Sequence, residues 1–124
     1  MLKALTIAAL AVAAAVAPAA ADVVASSLIG SYEVTGTDTE GKPYDRAGVV
    51  DVALAPSGAL ELQWNNGNYV GIGQVTGSVL AVACWATGRT VILIMNVNGD
   101  GSLSGRWWRR TDRGSKGTEM WTKK

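Results

Sequence analysis

Histidine and phenylalanine are both absent from this 124-residue chain, and cysteine occurs once. Without histidine, the usual proton shuttle and the commonest metal ligand are missing. Cys84 has no imidazole to activate it, no serine has an evident base, and the carboxylates are scattered over polar stretches. The chain is therefore expected not to be an enzyme, and to need neither cofactor nor metal. Asn96-Val97-Asn98-Gly99-Asp100-Gly101 has a superficial likeness to a calcium loop, but its twelfth position would fall on Trp107 instead of Glu. It reads as a hairpin turn. A single cysteine allows no intrachain disulfide, so stability must come from the core and backbone hydrogen bonding. Within the apolar run Ala81-Val82-Ala83-Cys84-Trp85, the thiol reads as a small buried hydrophobe.

Residues 1–21 have the layout of a secretory signal. Lys3 supplies the positive region, Leu5–Val16 the apolar stretch, and Ala19-Ala20-Ala21 the small-residue site before Asp22. Cleavage is expected after Ala21, because the apolar stretch is well short of the ~20 residues that span a bilayer. The protein is then exported, periplasmic or secreted, with no membrane span in the mature chain. Asp22–Lys124 is the right length for one small domain.

Charge is balanced overall but not along the chain. Apart from Lys3, ten basic residues face ten acidic ones, which argues against a nucleic-acid partner. From Arg106 onward, seven Lys or Arg stand against only Asp112 and Glu119. Such asymmetry can steer a charged partner.

After residue 21 the pattern is of strands. Eight segments stand out: Leu28–Thr35, Tyr44–Leu54, Ala59–Asn65, Tyr69–Val75, Val79–Trp85, Thr90–Val97, Ser102–Arg109 and Thr118–Thr122. Asn65-Asn66-Gly67-Asn68, Pro56-Ser57-Gly58, Thr76-Gly77, Thr87-Gly88 and Asn98-Gly99-Asp100-Gly101 are tight reversals that force antiparallel neighbours. Only Gly36–Pro43 and Thr111–Gly117 are longer connections, and none has room for a parallel crossover. Eight antiparallel neighbours can close, the last pairing with the first, which removes exposed edges. The expected fold is all-β: an eight-stranded up-and-down barrel.

Alternation assigns the faces. Leu28, Tyr32 and Val34; Val50, Val52 and Leu54; and Leu60, Leu62 and Trp64 are expected inside. The fifth and sixth segments are apolar on both sides, as covered strands are. A second copy of the chain is the most economical cover, so a homodimer through these strands is expected. Gly71, Gly73 and Gly105 interrupt strands, and indoles resting against them would explain five tryptophans beside no phenylalanine.

The aromatic residues are the strongest binding candidates. They are Trp64, Trp85, Trp107, Trp108 and Trp121, with Tyr32, Tyr44 and Tyr69, and an aromatic-lined interior is one role open to them. Trp107 and Trp108 must point to opposite faces of the seventh strand, so one is external. Arg106, Trp108 and Arg110 share parity there, an indole between two guanidinium groups. Glu119 shares parity with Trp121, opposite Met120. Pointing inward it would need a donor and become a ligand contact; the reading slightly favours outward.

The series Gly30-Ser31-Tyr32-Glu33-Val34-Thr35-Gly36, Gln63-Trp64-Asn65, Gly71-Ile72-Gly73, Asp100-Gly101-Ser102-Leu103-Ser104-Gly105-Arg106-Trp107 and Gly117-Thr118-Glu119 resembles small exported bacterial proteins, some labelled fibronectin-binding. The layout is also similar to avidin-like and lipocalin-like barrels. The resemblance implies an exported binding module that contacts an extracellular protein such as fibronectin, through the basic Trp-bearing face. Two alternatives stay open: a carrier of a small apolar ligand, and an inhibitor of a secreted enzyme.

Overall fold

The computed structural model describes residues 22–124; the expected leader, 1–21, lies outside them. Eight antiparallel strands follow one another around a closed barrel: β1 (Gly30–Thr37), β2 (Gly48–Leu54), β3 (Leu60–Trp64), β4 (Tyr69–Thr76), β5 (Val79–Ala86), β6 (Arg89–Val97), β7 (Leu103–Arg109) and β8 (Gly117–Lys123). Each strand pairs with its neighbours in sequence, and β8 closes on β1 through Glu33–Thr122, Val34–Trp121 and Gly36–Glu119. The meander and its closure are those expected. No helix among the described residues is long and apolar enough to cross a membrane.

Differences from expectation sit at strand ends. Leu28 is not in a strand. It belongs to a single 3-10 turn, Ala25–Leu28, which follows the anchoring of Val23 N–H to the Gly77 carbonyl at 2.8 Å. This turn lies across one end of the barrel and buries Leu28 beside Tyr32, whose hydroxyl donates to the Leu28 carbonyl at 2.8 Å. β2 begins at Gly48 and not at Tyr44, because β1 continues into a small hairpin first. Asp38 N–H bonds the Lys42 carbonyl, Asp38 Oδ1 accepts from the amides of Glu40 and Lys42, and Tyr44 N–H returns to Gly36 O. Leu54 has the inward parity of Val50 and Val52 but is 49% exposed, since it stands at the rim where β2 leaves the barrel.

The two ends of the interior are packed differently. At the end covered by the 3-10 turn, Leu28, Val52, Leu60, Leu80, Val82, Met95 and Leu103 are all buried. Each buried aliphatic of this size contributes about 1.5–3 kcal/mol relative to exposure. Midway, Trp121 is fully buried and packs against Tyr32 and Trp64, both at 5.9 Å between ring centroids. Beyond it the inward positions pass to smaller or aromatic residues. The outer faces of β5 and β6 are as apolar as the sequence suggests, and Trp85 and Ile92 lie nearly half exposed on them.

Of the three glycines expected to carry an indole only Gly71 does, and Gly117, outside that set, carries another. A Cβ at Gly71 would come within 3.2 Å of the Trp64 ring, and one at Gly117 would overlap Trp107. Gly73 faces Leu80 and Val82 instead, and Gly105 faces backbone: a Cβ there would overlap the Ile94 carbonyl and sit 2.7 Å from Met95 Cα. Backbone cannot move aside as a side chain can. Gly105→Ala should therefore cost about 3 kcal/mol, lowering Tm by roughly 10–20 °C in a domain of this size. Gly99→Ala, with open space around the added methyl, should stay within about 0.5 kcal/mol of the parent. Thermal denaturation of the two variants side by side checks the contrast.

Candidate functional site

The open end holds a cavity of about 320 Å³, lined by Val34, Tyr44, Arg46, Gly48, Trp64, Asn65, Tyr69, Cys84, Val91, Leu93, Trp107 and Glu119. It is at the small end of the range for ligand sites, about 300–1,000 Å³. Each strand from β1 to β8 contributes a lining residue, and the β1–β2 connection adds Tyr44 and Arg46.

Local structure explains how each group reaches the mouth. Tyr44 is delivered by the hairpin that prolongs β1, and its ring packs where Gly36 has no side chain. Asn65 opens a reversal in which Asn65, Asn66 and Gly67 all have positive φ, conformations that Asn and Gly tolerate best. The Asn65 side chain then accepts from Val49 N–H at 2.9 Å, in the space left by Gly48. Trp107 lies over Gly117, its ring N–H donating to the Thr37 carbonyl at 3.2 Å. Arg109 sits 5.8 Å from the Trp107 ring, pairs with Asp112 at 3.0 Å, and reaches Thr39 at 3.3 Å. That arginine links the two longest connections at the rim.

Glu119 points inward, against the expectation that slightly favoured outward. Its register leaves no alternative: Trp121, two residues on, occupies the barrel centre, and side chains two apart on a strand share a face. The carboxyl accepts from the Trp121 indole N–H at 2.8 Å and from the Tyr44 hydroxyl at 3.0 Å. Burial raises its pKa above the usual carboxylate range, and the donors Trp121, Tyr44 and Trp64 pull weakly the other way. Tyr44 is shifted upward too, by burial first and then by the charge and hydrogen bond of Glu119. Burial and the same carboxyl push the Cys84 thiol up to about 12. Its Sγ lies 3.5 Å from the Val91 carbonyl, so Cys84 is a protonated, apolar wall at neutral pH.

Of the residues singled out in the sequence, Trp64, Tyr69, Trp107 and Glu119 meet at this mouth. Tyr32 does not; it is sealed in the core beneath. Arg106 and Trp108 lie on the outer surface, in a shallow groove with Ile94, Lys116, Thr118 and Met120. Arg110 lies past the end of β7, and a cation stacked on Trp108 is Lys116, 5.3 Å from the ring. Tyr44, one of the aromatic candidates, joins those at the mouth, whereas Arg46, Asn65 and Cys84 were not expected at the site. The polar hairpin after Gly36 was the available signal for Tyr44 and Arg46, because long connections at one end of a barrel overhang its mouth. Among the described residues, no group of three or more Cys, Asp or Glu is placed to hold a metal.

The fold and site define an eight-stranded closed meander barrel, plugged at one end and hollow at the other. Neither a family model nor a curated protein sequence matches the chain. Among solved structures it is similar in fold to wild-type fluorescent protein UnaG, with a TM-score of 0.50 over 77% of this chain and 96% of that one. Identity is 8%, so the likeness concerns the backbone alone.

An inward carboxyl whose pKa is raised favours the protonated folded state. Its charging cost is absent below the unfolded carboxylate pKa and is fully felt once pH has risen through the higher folded value. Glu119→Gln keeps the shape and the contact with Trp121 but removes that cost. The variant should melt above the parent in mildly alkaline buffer, with the gap closing as pH falls toward about 4. A gap that stays constant, or a less stable variant at high pH, would count against a penalised carboxylate.

Proposed function

We propose that this protein is a non-enzymatic, exported binding barrel that takes a small, largely apolar molecule into its open end. The observation that carries this reading is the cavity of about 320 Å³ with aromatic walls and one carboxyl at its depth. A barrel built only for surface contact has no need of a hollow end, and this chain fills its other end tightly with Leu and Met. Apolar walls with a few placed polar groups are the usual composition of ligand sites. Neither candidate nucleophile in the wall is activated: burial holds Cys84 protonated, and the Tyr44 hydroxyl that bonds Glu119 is shifted upward.

The test uses N-phenyl-1-naphthylamine, a neutral apolar dye that brightens out of water. It should bind saturably, one per barrel. Val91→Trp, which fills the cavity from β6, should weaken binding by about tenfold or more. Leu54→Ser, at the opposite rim, should leave it unchanged. Melting curves exclude unfolding as the cause. Absence of saturable binding by the folded parent would overturn the reading.

A second reading keeps the outer face for a protein partner such as fibronectin. It is favoured by the groove that places Arg106, Trp108, Lys116 and Met120 together outside the barrel. Trp108→Ala should then weaken binding to immobilised fibronectin by about 2 kcal/mol while moving Tm little. Equal binding by parent and variant, at equal stability, would remove that face from consideration.

A further inference from the structure

We propose that the mouth cavity takes a small organic cation, its charge seated against Glu119 and enclosed by Tyr44, Trp64, Tyr69 and Trp107, and that its arrival displaces a proton from Glu119. This rests on reading the cavity as a small-molecule site.

The argument begins with the direction of the hydrogen bonds. One carboxyl oxygen accepts from Trp121 and the other from Tyr44. An indole N–H is only ever a donor. Both oxygens are thus fixed in place by neutral donors and keep lone pairs for a further contact. What the arrangement lacks is a counter-charge. No basic residue shares the depth of the pocket with Glu119; Arg46, the only basic lining residue, is an exposed side chain. A ligand that brings a positive charge completes the site, whereas an anion would meet the carboxyl.

The walls agree with this. Two indoles and two phenols line one cavity; Arg109 already lies 5.8 Å from the Trp107 ring, and the rings of Tyr44, Trp64 and Tyr69 can attract a ligand cation, most strongly where water is excluded. Val34, Val91 and Leu93 supply apolar contact for the rest of the molecule. A partly buried, hydrogen-bonded carboxylate with aromatic walls is the combination that suits a quaternary or protonated amine on a compact hydrocarbon frame.

Proton release follows from the empty state. Burial favours the neutral acid there, and an arriving cation favours the carboxylate. Charge balances simply: the O–H bond of Glu119 breaks, its proton leaves to solvent, and the carboxylate pairs with the ligand. The other titratable or charged groups that face Glu119 are Tyr44 from the β1–β2 connection, Arg46 at the rim, Tyr69 from β4 and Cys84 from β5. Strands β1, β2, β3, β6 and β7 present Val34, Gly36, Gly48, Trp64, Val91, Leu93, Gly105 and Trp107, none of which titrates. Tyr44 and Cys84 both hold their protons well beyond neutral pH.

The experiment is calorimetric titration with benzyltrimethylammonium, its uncharged carbon isostere neopentylbenzene, and phenylacetate. The quaternary ammonium has no proton to lose, so any proton released comes from the protein. Benzyltrimethylammonium should bind the parent about tenfold or more tightly than the isostere, with phenylacetate weakest. Its affinity should rise as pH is raised from acid toward alkaline, and paired buffers of different ionisation heat should register proton release at the acid side of that rise. In Glu119→Gln, shown to be folded by its melting curve, both the cation preference and the pH dependence should vanish. A parent that binds the neutral dye and the isostere as well as the cation would overturn the inference while leaving the pocket reading intact. A parent that binds none of these would defeat both.

Discussion

The pairing of β8 with β1 is the constraint on which the rest depends. Without it the sheet would present two open edges, and in a chain with no disulfide the ends would be joined by side-chain contacts alone. Closure also removes freedom of face. In a closed barrel with fixed register every strand residue points either in or out, and a slip of one position would exchange the two sets. Trp121 lies opposite Val34 on β1 and Leu103 on β7, both buried, so its own inward position is over-determined. Glu119 is carried inside by the same parity. A carboxyl enters the barrel because a tryptophan two residues away has to.

From that point the interior divides by side-chain length. Toward the plugged end, Leu60, Leu80, Met95 and Leu103 are all but fully buried in one core cluster. Toward the other end, glycines stand where long side chains would be needed to fill it. Gly71 leaves room for the Trp64 ring and Gly117 for the Trp107 ring, so both indoles sit close against the wall. Large rings held to the wall leave the centre empty. The two longest connections, pinned together by Arg109 with Asp112 and Thr39, frame this same end.

Most of the fold was legible because its signals are local. Turn dipeptides with positive φ, such as Asn66-Gly67, and alternation such as Leu60, Leu62 and Trp64 each depend on residues close in sequence. The site was only half legible, since it depends on where several chain segments meet. Trp64, Tyr69 and Trp107 could be picked out by residue type, but their convergence comes from closure. Tyr44 was read as a strand residue because no glycine or proline follows Pro43 until Gly48, the residue at which β2 begins. Glu119 was misplaced because a charge in a barrel is usually solvated, and the sequence does not show its donors, Tyr44 and Trp121, converging on it. Tyr32 has the composition of a ligand contact, yet its hydroxyl is consumed by the Leu28 carbonyl of the plug.

Glu119 ties these threads together. For stability alone an apolar residue would suit its position better, because desolvation penalises the charged form and even a neutral acid needs partners. The barrel nevertheless supplies two donors from separate segments, one a core tryptophan and the other a tyrosine brought over the mouth by its own hairpin. Departures from the most stable choice concentrate where a protein meets its ligand. Here the costly residue, an aromatic-lined cavity and the longest connections coincide at one end, while the opposite end is packed with aliphatic side chains. A chain relying only on core packing can tolerate one such concession, and its placement separates the half of this barrel that holds the fold from the half that is available for binding.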